Sequence, residues 1–135
     1  MKSKPIAILL FIGIGFLLVS CASQQFIPKG SKDYGSYVGR FSGEIPWTNG
    51  DIGLRLYETP EGEIRFRGDL VTEMFRGQGQ LVRGTVKGGR SLEGVFDMPA
   101  VGTLKGQLSE DRSYITGTFD SDIFKSGTWR VDRVK

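Results

Sequence analysis

The sequence predicts an all-β protein, an antiparallel meander of about eight strands closed into an up-and-down barrel or a strongly curved sheet, after an N-terminal signal helix. Three observations predict it. The pattern apolar, x, Gly, x, apolar recurs seven times between Phe41 and Trp129. No stretch after residue 30 carries the periodicity of an amphipathic helix. From Gly68 onward the central glycines stand 10 to 16 residues apart, the spacing of short antiparallel strands joined by turns.

Taken in order, Lys2 and Lys4 precede an almost uninterrupted apolar run from Ile6 to Val19, and Ser20 separates that run from Cys21, the single cysteine. A charged start, an apolar middle and a small residue before the cut are the parts of a secretion signal. The run has 14 residues. Spanning a hydrocarbon core takes about 20. Leu18-Val19-Ser20-Cys21 resembles the lipobox of bacterial lipoproteins. That resemblance implies cleavage just before Cys21, diacylglycerol on its thiol, and a further acyl chain such as palmitate on the new amine. Two or more chains, at about 0.8 kcal/mol per buried methylene, hold a protein stably to a membrane without a transmembrane helix. Ala22, where an Asp favours the inner membrane, implies the outer membrane of a Gram-negative bacterium, with the domain in the periplasm. Residues 1–20 are then the signal peptide, 21–34 the lipidated cysteine and a polar linker with Pro28 and Gly30, and 35–135 the β domain.

The strands follow from the repeat. Its copies are centred on Gly43, Gly68, Gly84, Gly94, Gly106, Gly117 and Gly127, the last with Lys125 in the first apolar place. Positions i, i+2 and i+4 share one face of a strand, so each copy turns apolar, Gly, apolar inward and its mostly polar neighbours outward. Ile52 to Glu58 is a further strand, with Ile52, Leu54 and Leu56 on one face and no central glycine. Eight is the strand number at which a barrel fills with side chains or holds one small ligand, and closure removes exposed edges. Inward glycine permits close packing across a narrow barrel or leaves room for a ligand. Packing is the preferred reading. Gly127-Thr128-Trp129 resembles the Gly-x-Trp of lipocalins, which lies on their first strand and here falls on the last, and it implies a Trp packed at a barrel end.

The two ends of such a barrel differ in chemistry. Thr59-Pro60-Glu61-Gly62, Lys87-Gly88-Gly89-Arg90 and Ser109-Glu110-Asp111-Arg112 are polar turns. The connections at the other end carry Pro46-Trp47, Met74-Phe75, Met98-Pro99-Ala100 and Ile123-Phe124. Either these side chains fold inward and plug the barrel, or Trp47, Met74, Phe75, Met98 and Phe124 form an exposed rim for a ligand or partner. An even strand number brings both termini to the polar end, so the apolar end is expected to face away from the anchoring membrane.

Charge and composition exclude several functions. Cleavage removes Lys2 and Lys4 and no acid, leaving 16 Lys and Arg against 15 Asp and Glu in 115 residues. A near-neutral chain with interleaved signs argues against nucleic acid. Glycine is 18 of those 115 residues, about twice the usual roughly 7%. There is no histidine, and the one cysteine is assigned to lipid, which removes the Ser-His-Asp, Cys-His and usual zinc arrangements. No cofactor and no metal site is expected beyond the covalent lipid on Cys21. Asp120-Ser121-Asp122 begins like a calcium loop without its later ligands. Glu93 and Asp97 share a strand face and are read as solubilising charges in preference to an acid/base pair. Gly77-Gln78-Gly79 and Gly88-Gly89 open no helix and are no phosphate loop. The expected protein is a non-catalytic binding or interaction module. Its alternatives are a carrier of a small hydrophobic ligand or lipid, and a structural lipoprotein docking on an envelope complex. A carboxylate-only glycan hydrolase is the remaining enzymatic reading.

Overall fold

Alternating side chains give each strand one apolar face, and a sheet of this size buries that face by closing on itself. The computed structural model of the chain describes residues 27–45, 48–72, 79–97 and 100–134, and in them the alternation produces a closed antiparallel barrel of eight strands. They are β1 (Lys32–Gly43), β2 (Gly50–Glu58), β3 (Ile64–Thr72), β4 (Gly79–Lys87), β5 (Ser91–Phe96), β6 (Gly102–Leu108), β7 (Tyr114–Ser121) and β8 (Lys125–Arg133). Each pairs with the next, and β8 returns to β1 from Tyr37 opposite Arg133 to Gly43 opposite Gly127. The fold is the up-and-down barrel that the repeat predicts. β1 begins inside the stretch read as linker, because Lys32 and Asp33 find partners in Glu58 and Tyr57, with a register shift between Asp33 and Gly35.

Register explains the inward glycines. Phe41 lies opposite Gly50, Phe66 opposite Gly84, Phe96 opposite Gly102, Phe119 opposite Gly127 and Trp129 opposite Gly117. Each ring occupies the space that a side chain on its partner would need. A Cβ on either Gly84 or Gly94 would stand 2.6 Å from Cζ of Phe66, and the Trp129 ring spans Gly117 and Gly106 in the same manner. One strand gives up volume so that its neighbour can bury a ring, which is how a narrow barrel reaches interior packing density. The glycines are packing positions. The Trp129 indole N–H donates to the Thr118 carbonyl at 3.0 Å, so its polar edge is satisfied.

The polar end is built from tight turns. In the 59–62 turn Gly62 N–H donates to the Thr59 carbonyl at 2.9 Å, and Gly62 takes φ 87°. The 109–112 turn repeats this bond, Arg112 N–H to the Ser109 carbonyl at 3.0 Å, with Arg112 at φ 63° in the place of the glycine. In the three-residue loop between Lys87 and Ser91, Gly88 and Gly89 both have positive φ and are the central residues of a turn closed by the Arg90 N–H on the Lys87 carbonyl at 3.2 Å. The chain enters the barrel at this end: Gly30 lies beside Pro60, and Lys32 pairs with Glu58.

Candidate functional site

The apolar end is where the sequence places a rim. Trp47, Met74, Phe75 and Met98 lie outside the described residues, as does Cys21. Phe124 is described, and there the inward plug holds and the exposed rim does not. It is 0% exposed, with its ring centroid 6.2 Å from Phe96, 6.3 Å from Phe41 and 6.4 Å from Phe119. The cause is local. After β7 the chain turns back within residues 122–124, and Ser121 Oγ accepts the N–H groups of Ile123 and Phe124 at 3.2 Å each, which folds the Phe124 backbone over the barrel mouth. A large ring carried there gains most by entering the aromatic cluster. Phe124 is a plug, and Ala100, from the neighbouring connection, is buried with it.

Beneath this closure lie the buried polar side chains Thr48, Thr72 and Gln80. Each satisfies backbone that strand pairing leaves over. Thr48 Oγ1 donates to the Ile45 carbonyl and Thr72 Oγ1 to the Asn49 carbonyl at 3.3 Å, while Gln80 Oε1 accepts the Ala100 N–H at 2.9 Å. Gln80 Nε2 has no partner among the described residues. Connections that cross a barrel mouth carry backbone groups out of water, and such groups need partners of this kind.

Exposed apolar side chains do stand at this end, on other residues. Leu81 is 66% exposed, Val101 55% and Ile123 38%. Alternation carries the signal for Leu81: with Val82 inward, Leu81 must point out. Val101 and Ile123 are held side by side by one carboxylate. Asp122 Oδ1 accepts the N–H of Val101 at 2.9 Å and of Ile123 at 2.7 Å, and Asp122 N–H donates to the Val101 carbonyl at 3.0 Å. The Val101 N–H is the main reason that the Asp122 carboxyl sits below the usual carboxylate range. Position in the sequence says that a connection is apolar, whereas which of its residues are pinned outward depends on this cross-connection bond. The exposed carboxylates Glu44, Asp97 and Asp120 lie in or beside the same connections, with Lys125 as a cation among them.

The remaining candidates are accounted for by ordinary contacts. Glu93 and Asp97 lie on the outer wall as expected, but each faces a cation: Lys87 Nζ is 2.9 Å from Glu93, and Arg83 reaches Asp97 at 3.8 Å. In the 120–122 segment the Asp122 carboxylate is committed to backbone N–H groups, and no cluster of three or more potential metal ligands occurs among the described residues. Hollows that described residues line lie on the outer wall. One, of about 680 Å³, runs over β1, β7 and β8 between Arg40, Ser42, Thr116, Thr118, Thr128 and Arg130, and another of about 350 Å³ lies over β3, β4 and β5. No protein-family model matches the chain, and neither a curated protein nor a solved structure matches it significantly.

Proposed function

We propose that the chain is an envelope lipoprotein, held by lipid on Cys21 to the outer membrane of a Gram-negative bacterium, and that its barrel is a non-catalytic docking module in the periplasm. The observation that carries docking is the set Leu81, Val101 and Ile123. Three apolar side chains are exposed at the end opposite the chain's entry, two of them fixed there by Asp122. Preorganised apolar residues cost little entropy to bury against a partner. The carboxylates around them, Asp97, Asp120 and Asp122, favour a protein partner whose surface is apolar with a basic border. An anionic lipid surface is disfavoured by the same charges. The reading as a carrier of a hydrophobic ligand has against it the rings that fill the space over the inward glycines.

A photo-crosslinking residue at position 81, 101 or 123 of the full-length chain in cells is expected to capture a discrete protein, and one at Glu61, on the opposite end, is not. Lipid adducts alone from all these positions would reject the orientation. The anchor has its own test: Cys21→Ser is expected to abolish labelling by radioactive palmitate and to release the barrel from the membrane fraction.

A further inference from the structure

The turn that carries the plug is strained, and no side-chain contact offsets the strain. β7 returns to β8 through residues 122–124, and Lys125, paired with Ser121, stands left-handed at φ 59°. Glycine takes that backbone freely, whereas a side chain there is unfavourable. The other left-handed side chain among the described residues, Arg112, is tied down by its bond to the Tyr34 carbonyl and its stack on the Tyr34 ring. Lys125 is exposed, and its side chain makes no hydrogen bond or ion pair among the described residues. The cost therefore falls on the conformation that seats Phe124 in the aromatic cluster.

A second cost lies under the same closure. Gln80 of β4 stands opposite Leu70 on the inward face and is 0% exposed. Its Oε1 accepts the Ala100 N–H at 2.9 Å, which sets the orientation of the amide, and its Nε2 has no partner among the described residues. A donor buried without an acceptor is unfavourable, and an apolar side chain at this place would bury none. Ala100 and Phe124 belong to one buried cluster, and the bonds between Val101 and Asp122 join their two connections. Strained turn and orphan donor thus share one mouth of the barrel, and each independently burdens the closed state.

We propose that Phe124 is a gate, hinged at Lys125, over a site for a small uncharged ligand with a compact aromatic body and one carbonyl acceptor. The body takes the place of the Phe124 ring beside Phe41, Phe96 and Phe119, whose centroids lie between 6.2 and 6.4 Å from its own, and the carbonyl accepts from Gln80 Nε2. Apolar protein side chains carry no such acceptor at their tips, so the donor selects a free small molecule over an inserted residue of a partner. The rings over the inward glycines stay in place, and the barrel need not be hollow. The site does not rest on the docking reading, because its occupant is not a protein.

The test is a titration of the full chain in neutral detergent, followed by nuclear magnetic resonance of the Gln80 side-chain amide and the Ala100 backbone amide. Acetophenone is the probe, and α-methylstyrene, which has the same shape without the oxygen, is the control. Acetophenone is expected to shift both signals saturably. Its preference over α-methylstyrene, read at Ala100, is expected to fall at least about threefold in Gln80→Leu, a comparison in which partition into the micelle cancels. Lys125→Gly favours the closed state and is expected to weaken acetophenone by roughly threefold, whereas Phe124→Ala, which removes the gate, should tighten it by roughly tenfold. Signal dispersion reports whether each variant is folded, and Lys125→Gly, a surface change that relieves strain, decides the matter where a core variant unfolds. No saturable shift in the parent, an unchanged preference in folded Gln80→Leu, binding by Lys125→Gly as tight as the parent's, or weaker binding by folded Phe124→Ala would overturn the proposal.

Discussion

The two ends of the barrel are closed by opposite means. At the apolar end Phe124 enters an aromatic cluster with Phe41, Phe96 and Phe119, and Thr48, Thr72 and Gln80 take up the backbone groups beneath it. At the polar end the closing residue is a cation. Arg112 stacks over the Tyr34 ring at 3.6 Å and donates from Nη2 to the Tyr34 carbonyl at 2.8 Å, while its own carbonyl accepts the Tyr37 hydroxyl at 2.8 Å. Its backbone is left-handed, where the equivalent position of the 59–62 turn is Gly62. A side chain held in that conformation costs about 1 kcal/mol, and the clasp onto β1 is what offsets it. The difference teaches that a small barrel need not be sealed twice by apolar burial. The end where the chain enters is sealed by hydrogen bonds that tie down the entering strand, and the opposite end by a ring among rings.

The largest effect expected from breaking this comparison is at the plug. Phe124→Ala removes a fully buried ring among three others and is expected to destabilise the barrel by about 3–5 kcal/mol in urea unfolding. Arg112→Ala removes the stack and the Nη2 bond but leaves the backbone carbonyl in place, for an expected loss of about 1–2 kcal/mol. If Arg112→Ala proves the more damaging of the two, the polar clasp and not the aromatic plug is what holds the barrel shut.

Arg112→Gly sharpens the same point by separating backbone from side chain. It loses the clasp as Arg112→Ala does but relieves the left-handed Cβ, so it should recover roughly 1 kcal/mol of that loss, less some unfolded-state entropy. Equal midpoints for Ala and Gly would mean that φ 63° carries no strain at this position.

How much of this was legible in the sequence follows from what each feature depends on. Strand number, order and facing depend on period-two alternation and turn residues, both local, and the seven glycine-centred copies display them. That Phe66 covers Gly84 and Gly94, or Trp129 covers Gly117 and Gly106, depends on register between strands, which a single strand does not reveal. Plug and rim read alike at Phe124 for a related reason. An apolar connection reads the same whether its ring enters the barrel or faces water, and the choice is made by Ser121 Oγ folding the chain and by the space that β1, β5 and β7 leave beside their own rings. Leu81 was recoverable from alternation alone. Val101 was not, because its exposure rests on a bond to Asp122, 21 residues away.

The smallest expected effect is on the pH dependence, and it compares one carboxylate at each end. Asp111 accepts the Ser113 hydroxyl at 2.6 Å, the Ser113 N–H at 3.0 Å and the Ser109 hydroxyl at 2.9 Å, and these bonds hold it below the ordinary Asp value, as the Val101 and Ile123 N–H groups hold Asp122. For both groups the folded state prefers the ionised form, so their stabilisation is present above the unfolded value of about 3.9 and is lost as pH falls through the lower folded one. Tyr37 behaves in the opposite sense: burial raises its phenol above the ordinary value, so its contribution is present below about pH 10 and is lost as pH rises further. With no histidine in the chain, unfolding midpoints should be flat between about pH 5 and 9 and fall on both sides. Asp122→Asn and Asp111→Asn should each flatten the acid limb while keeping a neutral acceptor for the same N–H groups, and Tyr37→Phe should flatten the alkaline one. The two Asn variants separate the ends when crosslinking is read as well. Asp122→Asn keeps Val101 and Ile123 pinned and should leave capture at positions 101 and 123 intact, whereas Asp122→Ala removes both carboxylate bonds, leaving only the Asp122 N–H on the Val101 carbonyl and Ser121 Oγ on the Ile123 N–H, and should reduce it. Equal capture by Asn and Ala at position 122 would mean that the pinning, and with it the preorganisation of the docking end, contributes nothing to partner recognition.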